Sequence, residues 1–436
     1  MKVYFLTLGC RVNQYETDAL RSMFLQRGHE LADRPEDADC CVVNTCSVTG
    51  EADRKSRQML RKMARLNPDT IVVAAGCSAE TTDGKVAADI IAGTKERLTI
   101  VDRAEMLFAE KGMLTHEKDH VRPAVSKKDE YHDFGSVLSP EGCRAFMKIE
   151  DGCDSFCTYC IIPFARGRVA SRSFESCIGE ARYLAKNGFK EIIVSGIHLC
   201  SYGKDRGEDI MSLARLLKEI DNVEGLERLR LGSLEPISMT DDFIAALKDL
   251  KHICPSFHLS LQSGSDTVLK RMNRHYDSKG YASRVKLLRD CFPDMSLTTD
   301  IIVGFPGETD EEFEETMNFA KETGFAKIHV FPYSLREGTK AAEMQQVAHE
   351  IKKQREARLL ELASQLASDF AVNMTGREET VLVEKTEGMS AFGYTRNYVR
   401  AEVVSEPEKE LPKPGDIVAG TVTGTKGAEV VLKNRL

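Results

Sequence analysis

The sequence predicts an α/β chain in three parts, with a doubly wound parallel sheet over residues 1–102 and a linker at 103–140. A six-unit (β/α) partial barrel follows over 141–375, and a small β-barrel over 376–436. Three observations predict this. Short apolar runs alternate with segments carrying apolar residues at helical spacing, the pattern of parallel strands covered by helices. Most strand ends run into a cysteine, a glycine turn or a polar cluster. Near residue 375 the period changes to two, with glycine turns between short strands. At 436 residues a single hydrophobic core is too small an expectation.

In the first part, Val3–Leu8, Cys40–Asn44 and Ile71–Ala75 read as buried parallel strands. Between them, Tyr15–Arg27 has helical spacing and stops at Gly28, and Arg54–Arg65 ends before Asn67-Pro68. Each strand ends in a cysteine-bearing loop, at Cys10, Cys46 and Cys77. Loops at the carboxyl ends of parallel strands converge on one edge, so these distant cysteines can meet as a metal site; chance placement is the alternative. The linker is rich in Lys, Glu and Asp, with a helix expected at Arg103–Lys111.

In the central part the expected strands are Phe146–Glu150, Glu191–Ser195, Arg228–Gly232, Ser256–Leu261, Ser296–Val303 and Lys327–Phe331. Helical patterns fall between them at Phe174–Lys186, Ile210–Ile220, Asp241–Lys251, Ser278–Asp290 and Asp310–Thr323. In such barrels, function sits in loops after strand C-termini. The first such loop carries Cys153, Cys157 and Cys160 in a C-x3-C-x2-C spacing. Three thiolates hold three corners of a metal site and leave the fourth open. Zinc would call for a fourth protein ligand, for which Cys143 and Cys177 are near enough. The unequal triplet fits better a [4Fe–4S] cluster with one iron not ligated by protein. The other mouths carry Gly196-Ile-His198, Ser233-Leu-Glu235-Pro236, Gln262–Asp266, Gly304–Glu308 and Pro332-Tyr333-Ser334, as one shared active site would require.

Residues Lys340–Thr375 read as one or two long helices packing back on the barrel. Thr380–Glu384, Phe392–Tyr394, Asn397–Val404, Ile417–Thr423 and Glu429–Lys433 read as five strands of a closed barrel of the oligonucleotide-binding sort. The net charge of −8 gives no global case for nucleic-acid binding, so that role rests on local patches. Arg54, Lys55, Arg57, Arg61, Lys62 and Arg65 make one helix basic, with a solvated face as the plain alternative. Arg166, Arg168 and Arg172 follow the cysteine triplet and Arg336 follows the last barrel strand, placed to grip phosphates. Tyr394, Arg396, Tyr398 and Arg400 interleave aromatic and cationic side chains, as for base stacking.

Thirteen cysteines, several of them grouped, favour metal or redox chemistry over a disulfide framework. Cys40, Cys41, Cys143, Cys177, Cys200, Cys254 and Cys291 are taken as small buried side chains. No run of about eighteen apolar residues points to a membrane span, and the start lacks a small-residue cleavage site. The expectation is a cytoplasmic protein.

The triplet, with Tyr159 before its last cysteine, resembles the radical S-adenosylmethionine (SAM) superfamily. There the open iron chelates the amino and carboxylate groups of SAM, and electron transfer releases a 5′-deoxyadenosyl radical. More narrowly, Leu-Gly-Cys10-Arg-Val-Asn-Gln-Tyr-Glu16, Asn-Thr-Cys46, Gly-Cys77, Arg166-Gly-Arg168 and Phe331–Thr339 resemble the methylthiotransferases, which end in a TRAM-type barrel. This resemblance implies a second [4Fe–4S] cluster on Cys10, Cys46 and Cys77. It sets Gly196 against the methionine of SAM, makes Glu235, Gln262 and Asp300 polar contacts to ribose or methionine, and has Tyr159 and Val330–Phe331 flank the adenine. Cys10-Arg-Val-Asn-Gln and the Cys153–Gly167 run look most like the branch acting on threonylcarbamoyladenosine at position 37 of tRNA. The implied activity is methylthiolation of C2, with the anticodon stem-loop as partner and a flavodoxin or ferredoxin as electron donor. The isopentenyladenosine branch, the ribosomal-protein aspartate branch and a non-catalytic zinc RNA-binding protein are the alternatives.

Overall fold

The computed structural model describes residues 1–66, 69–81, 86–110, 129–137, 142–404 and 410–434. The first part runs β1 (Lys2–Thr7), α1 (Arg11–Gln26), β2 (Glu30–Leu31), β3 (Cys40–Thr45), α2 (Gly50–Leu66), β4 (Ile71–Gly76), α3 (Cys77–Thr81), β5 (Ile90–Ala92) and α4 (Ile100–Ala109). Its sheet is parallel throughout, in the order β2-β1-β3-β4-β5. Every residue of β3 and β4 is buried, because helices cover both faces. The edge strands β2 and β5 are two and three residues long, too short to leave a pattern in sequence. The helix expected from Arg103 begins earlier, at Ile100; Lys111 and Asn67-Pro68 lie outside the described residues.

The barrel runs β6 (Ala145–Asp151), α5 (Ile162–Arg166), β7 (Ala170–Ser171), α6 (Phe174–Lys186), β8 (Glu191–Gly196), α7 (Met211–Asp221), β9 (Arg228–Leu231) and β10 (Ser233–Leu234). It continues with α8 (Asp241–Lys248), β11 (Ser256–Leu259), α9 (Asp266–Arg271), α10 (Ser278–Cys291), β12 (Ser296–Val303), α11 (Asp310–Thr323) and β13 (Lys327–Pro332). The strands form two sheets, β7-β6-β8-β9 and β10-β11-β12-β13, joined by a bridge between Leu229 and Ile253. Alternate residues such as Met147, Ile149, Val194, Leu229, Phe257, Leu259 and Ile301 face outward into one core shared with the helices. Their neighbours face the lumen, and many are polar or charged: Lys148, Glu150, Arg228, Arg230, His258 and Asp300. The single helix α12 (His349–Val372) packs back on β13.

The last part is a closed barrel, β14 (Glu378–Glu387), β15 (Ser390–Thr395), β16 (Arg400–Val404), β17 (Ile417–Lys426) and β18 (Glu429–Asn434), in the order β14-β15-β16-β18-β17. It sits under the amino-terminal ends of the central strands. Arg228 donates to Thr380 O at 2.7 Å and Arg230 to Arg396 O at 3.0 Å, while Arg396 donates to Ile253 O at 2.8 Å. Among the described residues no helix is long and apolar enough to cross a membrane.

Candidate functional site

Cys10, Cys46 and Cys77 each follow a parallel strand, β1, β3 and β4, and meet at one edge of the first sheet. The packing is close. A Cβ at Gly9 would lie 2.7 Å from Cys46 Cβ and 2.9 Å from its Sγ, and φ at Gly9 is +108°, so only glycine fits there. Burial pushes the Cys46 thiol up to about 11, and Cys77 and Cys10 add to the rise. Arg166 comes from the other side, on α5, and its Nε lies 3.1 Å from Cys77 Sγ.

The rest of the Arg166 guanidinium is spent inside the protein. Nη1 donates to Glu16 at 2.8 Å and to Asp151 at 3.0 Å, and Nη2 to Asn13 at 2.8 Å. Lys148 and Arg97 also pair with Glu16, so one buried network joins α1 to the strand that leads into the cysteine triplet. Burial opposes ionisation of Glu16, but Arg166, Arg97 and Lys148 outweigh it and hold its pKa at about 2. The expectation that Arg166 grips phosphate is corrected, because its side chain is 0% exposed and its donors are taken. Arg172, with its side chain also at 0%, pairs instead with Glu180 and Asp133.

The second triplet lies in the loop after β6. Burial raises the Cys153 thiol to about 11 and Cys160 to about 12, with the neighbouring thiols contributing to both. Such thiols ionise when a metal takes the proton's place. Arg274 Nη1 lies 3.2 Å from Cys157 Sγ, and its Nη2 forms an ion pair with Glu235 at 2.7 Å. Burial works against ionisation of Glu235, yet His198 and Arg274 outweigh it and keep the carboxyl below its usual value. A cavity of about 440 Å³ opens beside Cys157, lined by His198, Glu235, Asn273 and Arg274 among others.

Grouped thiols, a neighbouring cation on each triad and an anionic carboxylate at the cavity fit a thiolate-ligated cluster and a zwitterionic cofactor. Tyr159 packs edge-on to Phe305 at 6.4 Å, and the end of β13 leaves Phe331 exposed. Gly196 gives up its side-chain space to Glu150: a Cβ there would lie 2.6 Å from Glu150 Oε2. Glu150 accepts from His198 N at 2.7 Å, leaves Oε1 without a partner, and is pushed well above the usual carboxylate range by burial. Gln262, at φ +68°, carries the β11–β12 pairing through its backbone. Asp300 stands in the lumen 3.3 Å from His258 Nε2.

The remaining arginines expected at RNA lie at the mouth and in the last barrel. Arg168 lies over the Phe156 ring at 4.6 Å, and Arg400 is exposed beside Glu429. Arg336 keeps Nε and Nη2 buried without a partner, near Cys46 and Asp53. Arg396 is corrected: its Nη2 is bound to the Ile253 carbonyl under the barrel, and Tyr394 and Tyr398 stack on each other at 4.7 Å beside Arg144. Arg274, Glu16, Glu150, Arg11, His258 and His329 do not stand out from the sequence alone. The strand residues among them leave one signal, polar side chains at alternate positions of otherwise apolar runs.

Comparison with known proteins adds the lineage. Residues 147–320 match the radical SAM superfamily, and residues 2–93 match the uncharacterized protein family UPF0004. Threonylcarbamoyladenosine tRNA methylthiotransferase MtaB of Bacillus subtilis (strain 168) is 40% identical over 91% of this chain and 89% of its own. The MtaB of Aquifex aeolicus (strain VF5) is 37% identical over 95% and 98%. The chain belongs to the radical SAM tRNA methylthiotransferases. A tRNA-2-methylthio-N(6)-dimethylallyladenosine synthase of Acetivibrio thermocellus is 34% identical over 91% of this methylthiotransferase and 84% of its own length. Among solved structures, the radical SAM methyltransferase TsrM from Kitasatospora setae shares the fold at TM-score 0.55 and 16% identity, covering 78% of this chain and 75% of that one. Membership brings a [4Fe–4S] cluster, SAM and a tRNA substrate to this methylthiotransferase.

Proposed function

We propose that this methylthiotransferase adds a methylthio group to C2 of N6-threonylcarbamoyladenosine at position 37 of tRNA, working in the cytoplasm on the anticodon stem-loop with a flavodoxin or ferredoxin as reductant. One observation carries the reading: Arg166 reaches from Cys77 of one triad to Asp151, two residues before Cys153 of the other. Methylthiolation of an unactivated ring carbon has two tasks, C–H activation and sulfur delivery, which two metal sites would divide. Cys153, Cys157 and Cys160 would hold the cluster that binds SAM, and Cys10, Cys46 and Cys77 a second [4Fe–4S] cluster. When bound, the first cluster with SAM supplies the radical that removes the C2 hydrogen, and the second presents the sulfur.

The chain's own groups do the binding. Glu235 is suited to receive the methionine ammonium, with Arg274 fixing it beside Cys157. Tyr159 and Phe331 flank the place for adenine, Arg168 is placed to meet phosphate, and Arg336 keeps two buried guanidinium nitrogens unpartnered for an anion. The threonylcarbamoyl substrate is favoured because relatives named for it reach 40% identity, against 36% for those named for dimethylallyladenosine. Residues 1–102, 141–375 and 376–436 are proposed as the three domains, with 103–140 as linker.

Mass spectrometry of tRNA nucleosides from cells with and without the protein tests the substrate. Loss of methylthio-threonylcarbamoyladenosine on deletion is expected; loss of the methylthio-isopentenyl derivative instead moves the protein to the other branch. Anaerobic reconstitution tests the second cluster. About eight irons per chain are expected, and about four would leave one cluster. Cys41→Ser and Cys200→Ser are expected to keep the full iron count, while Cys46→Ser loses about half.

A further inference from the structure

Arg11 opens α1 directly after Cys10, and its guanidinium lies 5.5 Å from the centroid of the Tyr398 ring. The other cations around that ring have anionic partners: Arg144 pairs with Glu384, and Arg230 with Glu191 at 2.9 Å. Among the described residues Arg11 has no ion pair. A guanidinium brought into a half-buried lumen without a counter-charge is a standing invitation to an anionic ligand.

His329, on β13, is close enough to feel that charge. Burial lowers its pKa, Asp300 opposes the fall, and Lys327, His258 and Arg11 deepen it. Parallel register sets Asp300 opposite His329 on β12 and β13, with His258 on β11. The polar atoms of the three lie within 4.8 Å of one another. His258 is oriented at both ends, by Thr298 Oγ1 at 3.0 Å from Nδ1 and by Asp300 at 3.3 Å from Nε2. The lumen next to the Cys10 loop therefore offers one unpaired guanidinium, two imidazoles and one carboxylate.

The two substrate classes named among the relatives differ at this point. A dimethylallyl group is a branched hydrocarbon and would leave the Arg11 guanidinium without a partner and the polar groups of His329 and Asp300 facing hydrocarbon. A threonylcarbamoyl group carries a carboxylate, a hydroxyl and ureido N–H groups, which match them in charge and in donor count. We propose that Arg11 and His329 form the subsite that holds the carboxylate of the threonylcarbamoyl group, so that they set substrate choice. Arg11 supplies a planar fork for the carboxylate. Asp300 accepts from the hydroxyl or ureido N–H while it keeps His258 in place. This inference rests on the threonylcarbamoyl reading of the function.

The test measures binding of synthetic anticodon stem-loops to the full-length holoenzyme by fluorescence anisotropy. One RNA carries N6-threonylcarbamoyladenosine and the other its carboxamide analogue, which has the same size and no charge. The wild-type protein is expected to prefer the acid by about tenfold, the scale of a hydrogen bond to a charged group. Arg11→Gln is expected to erase most of that preference, Arg11→Lys to keep part of it, and His329→Gln to reduce it. Iron content is checked in each variant because Arg11 adjoins Cys10; should Arg11→Gln lose iron, His329→Gln decides. Equal binding of acid and amide by the wild type, or an unchanged ratio in the variants, overturns the subsite. If the wild type methylthiolates a dimethylallyl stem-loop and leaves the threonylcarbamoyl one untouched, the functional reading fails first and the subsite with it.

Discussion

Arg166 gives its entire guanidinium to Glu16, Asp151, Asn13 and Cys77, all buried or nearly so. Removing it leaves Glu16 fully buried with less compensation and takes the cation away from Cys77. Arg166→Leu is therefore expected to destabilise the protein by about 3–5 kcal/mol, read as a lower denaturant midpoint. The same network fixes a pH dependence. The Glu16 pKa is lowered on folding from 4.5 to about 2, so its contribution is fully present above 4.5 and is lost as pH falls through that window. Thermal melts between pH 6 and pH 2 should show the midpoint dropping most steeply there, and Arg166→Leu should become acid-labile at higher pH than the wild type. An unchanged acid limb in the variant would place the stabilising charge elsewhere. In sequence, Arg166 and Arg168 look alike, two arginines around a glycine. Nothing local shows that the chain brings Glu16, 150 residues away, against one and leaves the other at the rim.

At the scale of elements, the six barrel strands are legible in the sequence because each carries apolar residues at least at alternate positions between glycine, proline or polar turns. β10 and α9 are not, being two and six residues long and set by tertiary pairing. The cysteine loops are legible for a geometric reason: parallel strands point their carboxyl ends the same way, so Cys10, Cys46 and Cys77 must approach each other once β1, β3 and β4 pair. The turn Thr395–Tyr398 misleads. Its aromatic and cationic residues suggest a nucleic-acid face, yet it forms the seal beneath the lumen, because Arg228 and Arg230 there need carbonyl acceptors and Glu191 alone cannot satisfy both. Arg396→Ala should thus cost about 1.5–3 kcal/mol through the missing bond to Ile253 O. It should leave the salt dependence of tRNA binding as it is. A flatter salt dependence in this variant would return Arg396 to the RNA.

Across the whole molecule the formal charge of −8 opposes a polyanionic substrate, so binding depends on where the cations lie. With Arg166 and Arg172 withdrawn into the interior and Arg396 bonded to Ile253 O, α2 presents a basic surface among the described residues. Its Ser56, Leu60 and Met63 are buried against the first sheet, while Arg54, Lys55, Arg57, Arg61, Lys62 and Arg65 stay exposed. The amino end of that helix is anchored at the mouth, where Gly50 N donates to Ser334 Oγ at 2.8 Å, and Arg57 and Asp53 act on Arg336. The helix therefore leads outward from the site proposed to receive one nucleotide of the tRNA. Neutralising Arg61, Lys62 and Arg65 together to glutamine should weaken tRNA binding at low salt. It should also flatten the plot of log K against log salt by about 2, at about 0.7 for each phosphate that is no longer neutralised. Binding titrations at several salt concentrations read this directly, with circular dichroism confirming that the helix survives. A slope equal to that of the wild type would mean that the tRNA runs along another face, and that the basic stripe of α2 only keeps the helix solvated.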